Sequence, residues 1–337
     1  MAFADQPPVE GAEIAGFGNC KNAHYPVLSA RNRLSDKLFA AAMATVFQLR
    51  SEVSDVFTDA VQRKLARWNR ARLAPRLPDD DWRTALETDR EMLLLEGRFL
   101  ETLRAEVRDR AAAAPTQVDA FVAWFESLQQ DGPGQGDALF PWLAQSATLP
   151  QMRWYLEQEA AGEAGFDDLT ALTQVKLPNR VKLELARNYW DEMGRGNAKG
   201  MHGQMLERLT AAVHVKPAIE RTAWQSLALA NAMTAMATRR DYAWHSLGAL
   251  GAIELTAPGR SAAVAEGLKR LGLPAKARTY FDLHATLDVK HSQAWNAEAI
   301  GPAVAGDPAR ATAIAEGALM RLRCGERCFD LYRRELW

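Results

Sequence analysis

Apolar residues recur at intervals of three and four along most of this chain, the period of an α-helix with one buried face. Leu38, Ala42, Val46, Leu49, Val53, Phe57, Val61 and Leu65 follow that period and predict a helix from Leu38 to Arg72. Pro75, Pro78 and the run Asp79-Asp80-Asp81 end it and offer an N-cap to the next helix, placed from Trp82 to about Ala112. A shorter helix follows over Val118–Gln130. The stretch Asp131-Gly-Pro-Gly-Gln-Gly-Asp137 interrupts the period and reads as a linker, because residues that break regular structure alternate through it. We therefore set a boundary there: residues 1–137 form an N-terminal arm and helical extension, and residues 138–337 a second domain. The first 35 or so residues, rich in Gly, Pro and Asn without a clear period, are the arm.

Beyond the linker, helices are expected over residues 138–147, 149–164, 178–193, 199–213, 217–255, 260–271, 275–297 and 307–335. Strand-type alternation is missing, β-branched residues are sparse, and Ala, Leu, Glu and Arg dominate, which predicts an all-α fold. The segment from Leu227 to Ala237 is apolar almost all round, the mark of a helix buried inside a bundle. No fixed-period repeat is found, which argues against a solenoid.

Composition narrows the class. A chain of 337 residues with 48% hydrophobic content can build a full core. The formal net charge is −1, and basic residues are interleaved with acidic ones, so neither a nucleic acid nor an anionic membrane surface is an expected partner. The N-terminus lacks a basic stretch followed by an apolar one, and no apolar run approaches the roughly 20 residues that span a bilayer. The expected location is cytoplasmic. Cys20, Cys324 and Cys328 make no closed disulfide framework, and the Cys-x-x-x-Cys pair lacks two further zinc ligands, so reduced thiols are expected.

The chemistry is concentrated in His284-Ala-Thr-Leu-Asp288-Val-Lys-His291. On one helix these three residues stand at i, i+4 and i+7 and project from one face, forming a stripe of possible metal ligands about two turns long. Four other places can supply partners. Trp154–Glu163 carries Glu157, Glu159 and Glu163; Asn188–Gly196 carries Asp191 and Glu192 beside two aromatics; His202 follows Glu192 by ten residues; and Glu254 stands in a strongly apolar run. On an unbroken helix Glu192 and His202 would diverge by about 80°. Joint action therefore requires a break, for which Gly194, Gly196 and Gly200 provide places. A lone Glu254 among apolar residues is costly unless paired, protonated or bound to a cation. Together, Glu159, Glu192, Glu254 and Asp288 with His202, His284 and His291 match the charge of two divalent cations. Such a nitrogen- and oxygen-rich set suits a two-iron or two-manganese site in a helix bundle, with zinc as the alternative.

Residues from about 138 to 337 resemble the haem-oxygenase-like diiron oxidases and oxygenases, also called the iron-containing redox enzyme family. The resemblance is carried by Leu156-Glu-Gln-Glu159-Ala, Phe166–Gln174, Ala186-Arg-Asn-Tyr-Trp-Asp-Glu192-Met-Gly-Arg-Gly with His202, Glu254, and the His284/Asp288/His291 stripe. It implies a seven-helix haem-oxygenase-like bundle with an N-terminal helical extension that packs on it or makes a homodimer contact. It further implies two iron ions, one near Glu159, His202, Glu254 and His291, the other held by Glu192, His284 and Asp288. O2 is the implied co-substrate, and the implied reaction is N-oxygenation, oxidative C–C cleavage or desaturation of an amino acid or small amine-bearing metabolite. No flavin or nicotinamide domain resembles any part of the chain, so electrons come from an external donor or from the substrate.

Competing readings are a metal-dependent hydrolase, which would carry adjacent His-Asp ligands that this chain lacks, and a redox-inactive helical binding or scaffold protein, which need not keep seven ligand residues. The Gly194–Gly200 run follows a helix rather than a strand and does not have phosphate-loop spacing. His24, His214 and His245 lack acidic companions at ligand spacing and read as structural or exposed. Arg153, Tyr155, Trp190 and Arg195 read as packing and surface, and Asp167, Asp168 and Asp191 as helix caps or supports for ligating imidazoles.

Overall fold

Every regular element that the computed structural model describes, over residues 56–78, 81–162 and 165–337, is helical. Helix α1 (Asp59–Leu73) starts where the Thr58 side chain accepts a hydrogen bond from the Val61 N–H. Only this part of the expected Leu38–Arg72 helix is seen. Residues 56–58 are bends, and residues 38–55, like the arm, lie outside the described residues. Helix α2 (Trp82–Ala112) is about 46 Å long at 1.5 Å per residue and buries Phe99, Leu103, Val107 and Ala111, one per turn, against α13 (Arg310–Leu336). Helix α3 (Val118–Asp131) precedes the glycine-rich segment, where Gly134 and Gly136 adopt φ of 72° and 70°. Then come α4 (Leu139–Gln145), α5 (Leu149–Gly162), the unforeseen α6 (Phe166–Thr173), α7 (Asn179–Glu192) and α8 (His202–Ala212).

Two expectations need correction. The expected helix over 217–255 is interrupted: α9 (Trp224–Thr238) ends at Arg239, a 3-10 turn covers Arg240–Tyr242, and α10 (Ala243–Arg270) begins beyond it. The break is held by Arg240, which donates to the carbonyls of Leu172, Thr173 and Val175 around the end of α6. Conversely, the break expected at 256–259 does not occur, and α10 runs through Pro258. Proline removes one N–H from the ladder, but neighbouring groups occupy this turn: Thr256 donates to the Ala252 carbonyl at 2.7 Å and Gln129 to the Leu255 carbonyl at 3.2 Å. The chain ends with α11 (Ala275–Trp295), a π-helical turn over Asn296–Ile300, the short α12 (Gly301–Gly306) and α13.

Helix α10 is the axle, with α11 and α13 packed along it. A Cβ on Gly248 would lie 1.9 Å from the Ile314 carbonyl oxygen, and one on Gly317 1.9 Å from that of His245, so α10 and α13 touch backbone to backbone. On the other side the buried Trp295 donates to the Leu247 carbonyl at 3.2 Å and covers Gly251. This clamps α11 against α10, with Asp288 and His291 turned toward Glu254. Helix α9 is buried nearly all round, as its sequence predicts. Its Asn231 donates to the Gln62 carbonyl and side-chain oxygen, each at 2.9 Å, and accepts from Asn69 at 3.0 Å, which ties α1 to the core. The described residues, from 56 onward, form one compact unit. Among the described residues no helix is long and apolar enough to cross a membrane.

Candidate metal centre

Glu192 ends α7 and His202 begins α8, and the ten-residue path between them folds back on itself. Gly194 has φ of +60°, and a Cβ there would lie 2.3 Å from the Gly200 carbonyl carbon. Only glycine fits where the loop closes so tightly. Gly196 and Arg195 are also left-handed, and two 3-10 turns, Gly194–Gly196 and Ala198–Gly200, take up the remaining chain. As a result His202 Nδ1 lies 2.8 Å from Glu192 Oε2, with both residues buried. Across from them, α11 presents His284, whose ring packs edge-on against that of His202 at 4.7 Å between centroids. Its Nδ1 is 2.7 Å from the Tyr280 carbonyl, so that nitrogen carries the proton and Nε2 is the free donor atom.

One turn further along α11, Asp288 and His291 meet Glu254 of α10. His291 Nδ1 is 3.5 Å from Glu254 Oε2 and 3.8 Å from Asp288 Oδ1, while its Nε2 lies 3.1 Å from Asp191 Oδ2. Asn188 donates to Glu254 Oε1 at 2.6 Å. Glu192, His202 and His284 thus form one buried triad and Glu254, Asp288 and His291 another, each with ligand atoms within 4.8 Å of one another. The side chains therefore group differently from the division implied by the resemblance: His202 stands with Glu192 and His284, and Asp288 with Glu254 and His291. The cause is local. The closed loop forces Glu192 and His202 together, and the i, i+3 pair on α11 faces α10.

Glu159 belongs to neither triad. Its carboxylate feels the charges of Arg260 and Arg321 and the hydroxyls of Tyr332 and Tyr155, and it lines the same cavity as Glu192, Glu254, His284 and Asp288. That cavity measures about 100 Å³. Asp191 supports an imidazole, as expected, and is itself bound by Arg195 at 2.6 Å. His214 is exposed and His245 is paired with Glu316 at 2.9 Å, whereas His24 lies outside the described residues. Trp190 is half exposed beside Gly196, and Arg153 lines a separate surface groove. Sequence reasoning missed Asn188, Tyr280, Arg260 and Arg321. Asn188 had a signal, since it sits one turn before Glu192 on the same face.

Burial and clustered charge shift the titration of these groups. Burial, then the Glu254 charge, pushes the Glu192 carboxyl well above the usual range. Burial lowers His202 and His284 to about 4 each, with a neighbouring imidazole adding to the effect. Burial also opposes charge on His291, but the neighbouring Glu254 carboxylate, with Asp191, raises it to about 9. The buried ring nitrogens His202 Nδ1 and His291 Nδ1 each face a carboxylate, Glu192 at 2.8 Å and Glu254 at 3.5 Å, but neither meets it in hydrogen-bond geometry. Such atoms fit a metal, which takes a lone pair where a hydrogen bond is missing. The donor set is three imidazoles and three carboxylates, and the thiols of Cys324 and Cys328 stay buried on α13. Divalent iron accepts such ligands.

Two buried His/carboxylate triads able to hold metal ions thus stand in one all-α bundle. More narrowly, the family model described as "Iron-containing redox enzyme" matches residues 153–326, slightly more than half of the sequence, and the chain belongs to that haem-oxygenase-like family. The matched stretch includes α6 to α12 and hence both triads. Similar in structure is a CADD-like protein of unknown function from Nostoc punctiforme PCC 73102. It is 19% identical, with a TM-score of 0.48 over 65% of this chain and 95% of that one. No curated protein matches the sequence.

Proposed function

We propose that the two triads hold two iron ions and that the protein is an O2-dependent diiron oxygenase or oxidase. Its substrate is an amino acid or small amine-bearing metabolite, with N-oxygenation favoured over oxidative C–C cleavage or desaturation. The carrying observation is that members of both buried triads line one cavity in a chain of an iron-containing redox family. Bound iron would supply O2 activation; the residues supply its setting. Tyr280 and Asp191 fix two imidazoles in orientation, Asn188 holds one Glu254 oxygen, and Phe140, Phe166 and Phe281 keep the cavity wall apolar. Glu192 and His291 must give up protons as metal enters, because each holds one more readily than an exposed group does. Electrons come from an external reductant, and the protein acts in the cytoplasm with no nucleic-acid or membrane partner.

The test is oxygen consumption by iron-loaded protein with a chemical reductant and a set of amino acids and amines, with products analysed after incubation under isotopically labelled O2. Substrate-dependent uptake with label in the product or its hydrated form supports the reading. Uptake that is indifferent to Asp288→Ala would overturn it.

A further inference from the structure

Beyond the triads, the cavity has a second charged end. Arg260 lies on α10 and Arg321 on α13, and both line the cavity together with the triad residues. The Arg260 guanidinium is fixed in place. It donates from Nε to the Thr256 carbonyl at 3.0 Å and from Nη2 to Thr256 Oγ1 at 2.6 Å, and it sits 5.6 Å from the Phe329 ring centroid and 6.0 Å from that of Phe140. A guanidinium has five N–H groups, so this anchoring leaves donors over. Arg321 makes no hydrogen bond among the described residues, and its Nε is buried. Neither arginine forms an ion pair with any described carboxylate. Glu159, which lines the same cavity, feels both guanidinium charges and, after them, the Tyr332 and Tyr155 hydroxyls, without an ion-pair contact to either arginine.

Two cations thus face one carboxylate at this end, in a setting where an unpaired buried charge is costly. Burial, with the like charge of Arg321, lowers Arg260 to about 10, which leaves it charged at neutral pH. A bound anion would relieve both strains. Paired, pre-positioned guanidinium groups match the planar, two-oxygen geometry of a carboxylate. The cavity of about 100 Å³, with a side cavity of about 40 Å³ bordered by Glu159, Arg260 and Arg321, is smaller than the ~150 Å³ void that takes benzene, so the ligand is compact.

We propose that Arg260 and Arg321 anchor the carboxylate of the substrate, so that the group to be oxidised points toward the triads. This assigns a substrate class, small aminocarboxylic acids rather than simple amines, and its functional meaning rests on the diiron reading given above. The binding claim is separable from that reading.

Calorimetry and thermal shift on the full chain, metal-free and again loaded anaerobically with Fe(II), would compare common amino acids and short aminocarboxylic acids with their carboxamides. Some acids are expected to bind and their amides not. R260Q and R321Q should each weaken that binding about ten- to hundredfold, the loss that follows removal of a charge-assisted hydrogen bond. R260K and R321K keep the charge without the fork; they should lose less, and they also guard against misfolding of the glutamine variants. Iron stoichiometry, measured in parallel, should not change in any of the four. Acids bound no better than amides, or bound equally well by R321Q and R260Q, overturn the proposal. Failure to take up iron, with acid binding still dependent on the arginines, overturns the diiron reading instead and leaves the anchor standing.

Discussion

His284, Asp288 and His291 show how far single positions can be read. Their spacing alone puts three donors on one face of a helix, and the structure brings them to one face. What spacing does not reveal is that the stripe is long enough to serve two triads, with His284 in one and Asp288 and His291 in the other. That depends on what α10 and the Glu192–His202 loop place opposite each turn. Two outcomes follow at this scale. His284→Ala should lower ferrous binding from two ions per chain to about one while leaving the metal-free melting temperature little changed, read by anaerobic titration and calorimetry. Equal loss at both triads would count against their independence. For His291, the folded value near 9 lies above the ordinary 6.5. Its contribution to metal-free stability is therefore complete below about pH 6.5 and is lost as pH rises through 9. The difference in melting temperature between wild type and His291→Gln should shrink over that window. Because the same proton must leave when metal binds, affinity at the Glu254 triad should tighten by about tenfold per pH unit until pH 9. A flat pH profile would contradict both statements.

At the scale of elements, periodicity located most helices to within a few residues, since Trp82–Ala112 and Val118–Asp131 carry one apolar face each and end at clear signals. It failed where tertiary contacts override local signals. Pro258-Gly259 reads as a helix end, yet α10 continues through it, with Gln129 of α3 donating to the Leu255 carbonyl beside the proline. Placing a break there made Arg260 the first residue of a separate helix and hid its part in the cavity. The loop between α7 and α8 was legible for the opposite reason: its three glycines were demanded by the geometry of Glu192 and His202. Gly194→Ala should therefore damage the first triad more than the fold, with iron content falling toward one per chain and the Glu254 triad retained. By contrast, Gly248→Ala or Gly317→Ala pushes a methyl into a facing carbonyl at 1.9 Å. Either should cost about 3 kcal/mol or more in urea unfolding, since backbone cannot move aside as a side chain can. A cost below ~1 kcal/mol would show that α10 and α13 are less tightly pressed than described.

Over the whole molecule, the family match and the all-helical architecture agree with what the residues implied, and the N-terminal helices α1 and α2 are bonded into the same unit as the triads. If the triads hold iron as proposed, stability should depend on it. At free Fe(II) a hundredfold above the dissociation constant, each site should add about 2.7 kcal/mol to unfolding, seen as a rise in melting temperature that chelator reverses. The most direct test of the central claim is anaerobic titration of metal-free protein with Fe(II), followed by Mössbauer spectroscopy of the loaded and then oxidised sample. The account predicts saturation at two irons per chain, magnetic coupling between them after oxidation, and loss of that coupling in both the His284→Ala and Asp288→Ala variants. Well-folded protein that binds no iron, or binds one ion untouched by either substitution, would contradict it.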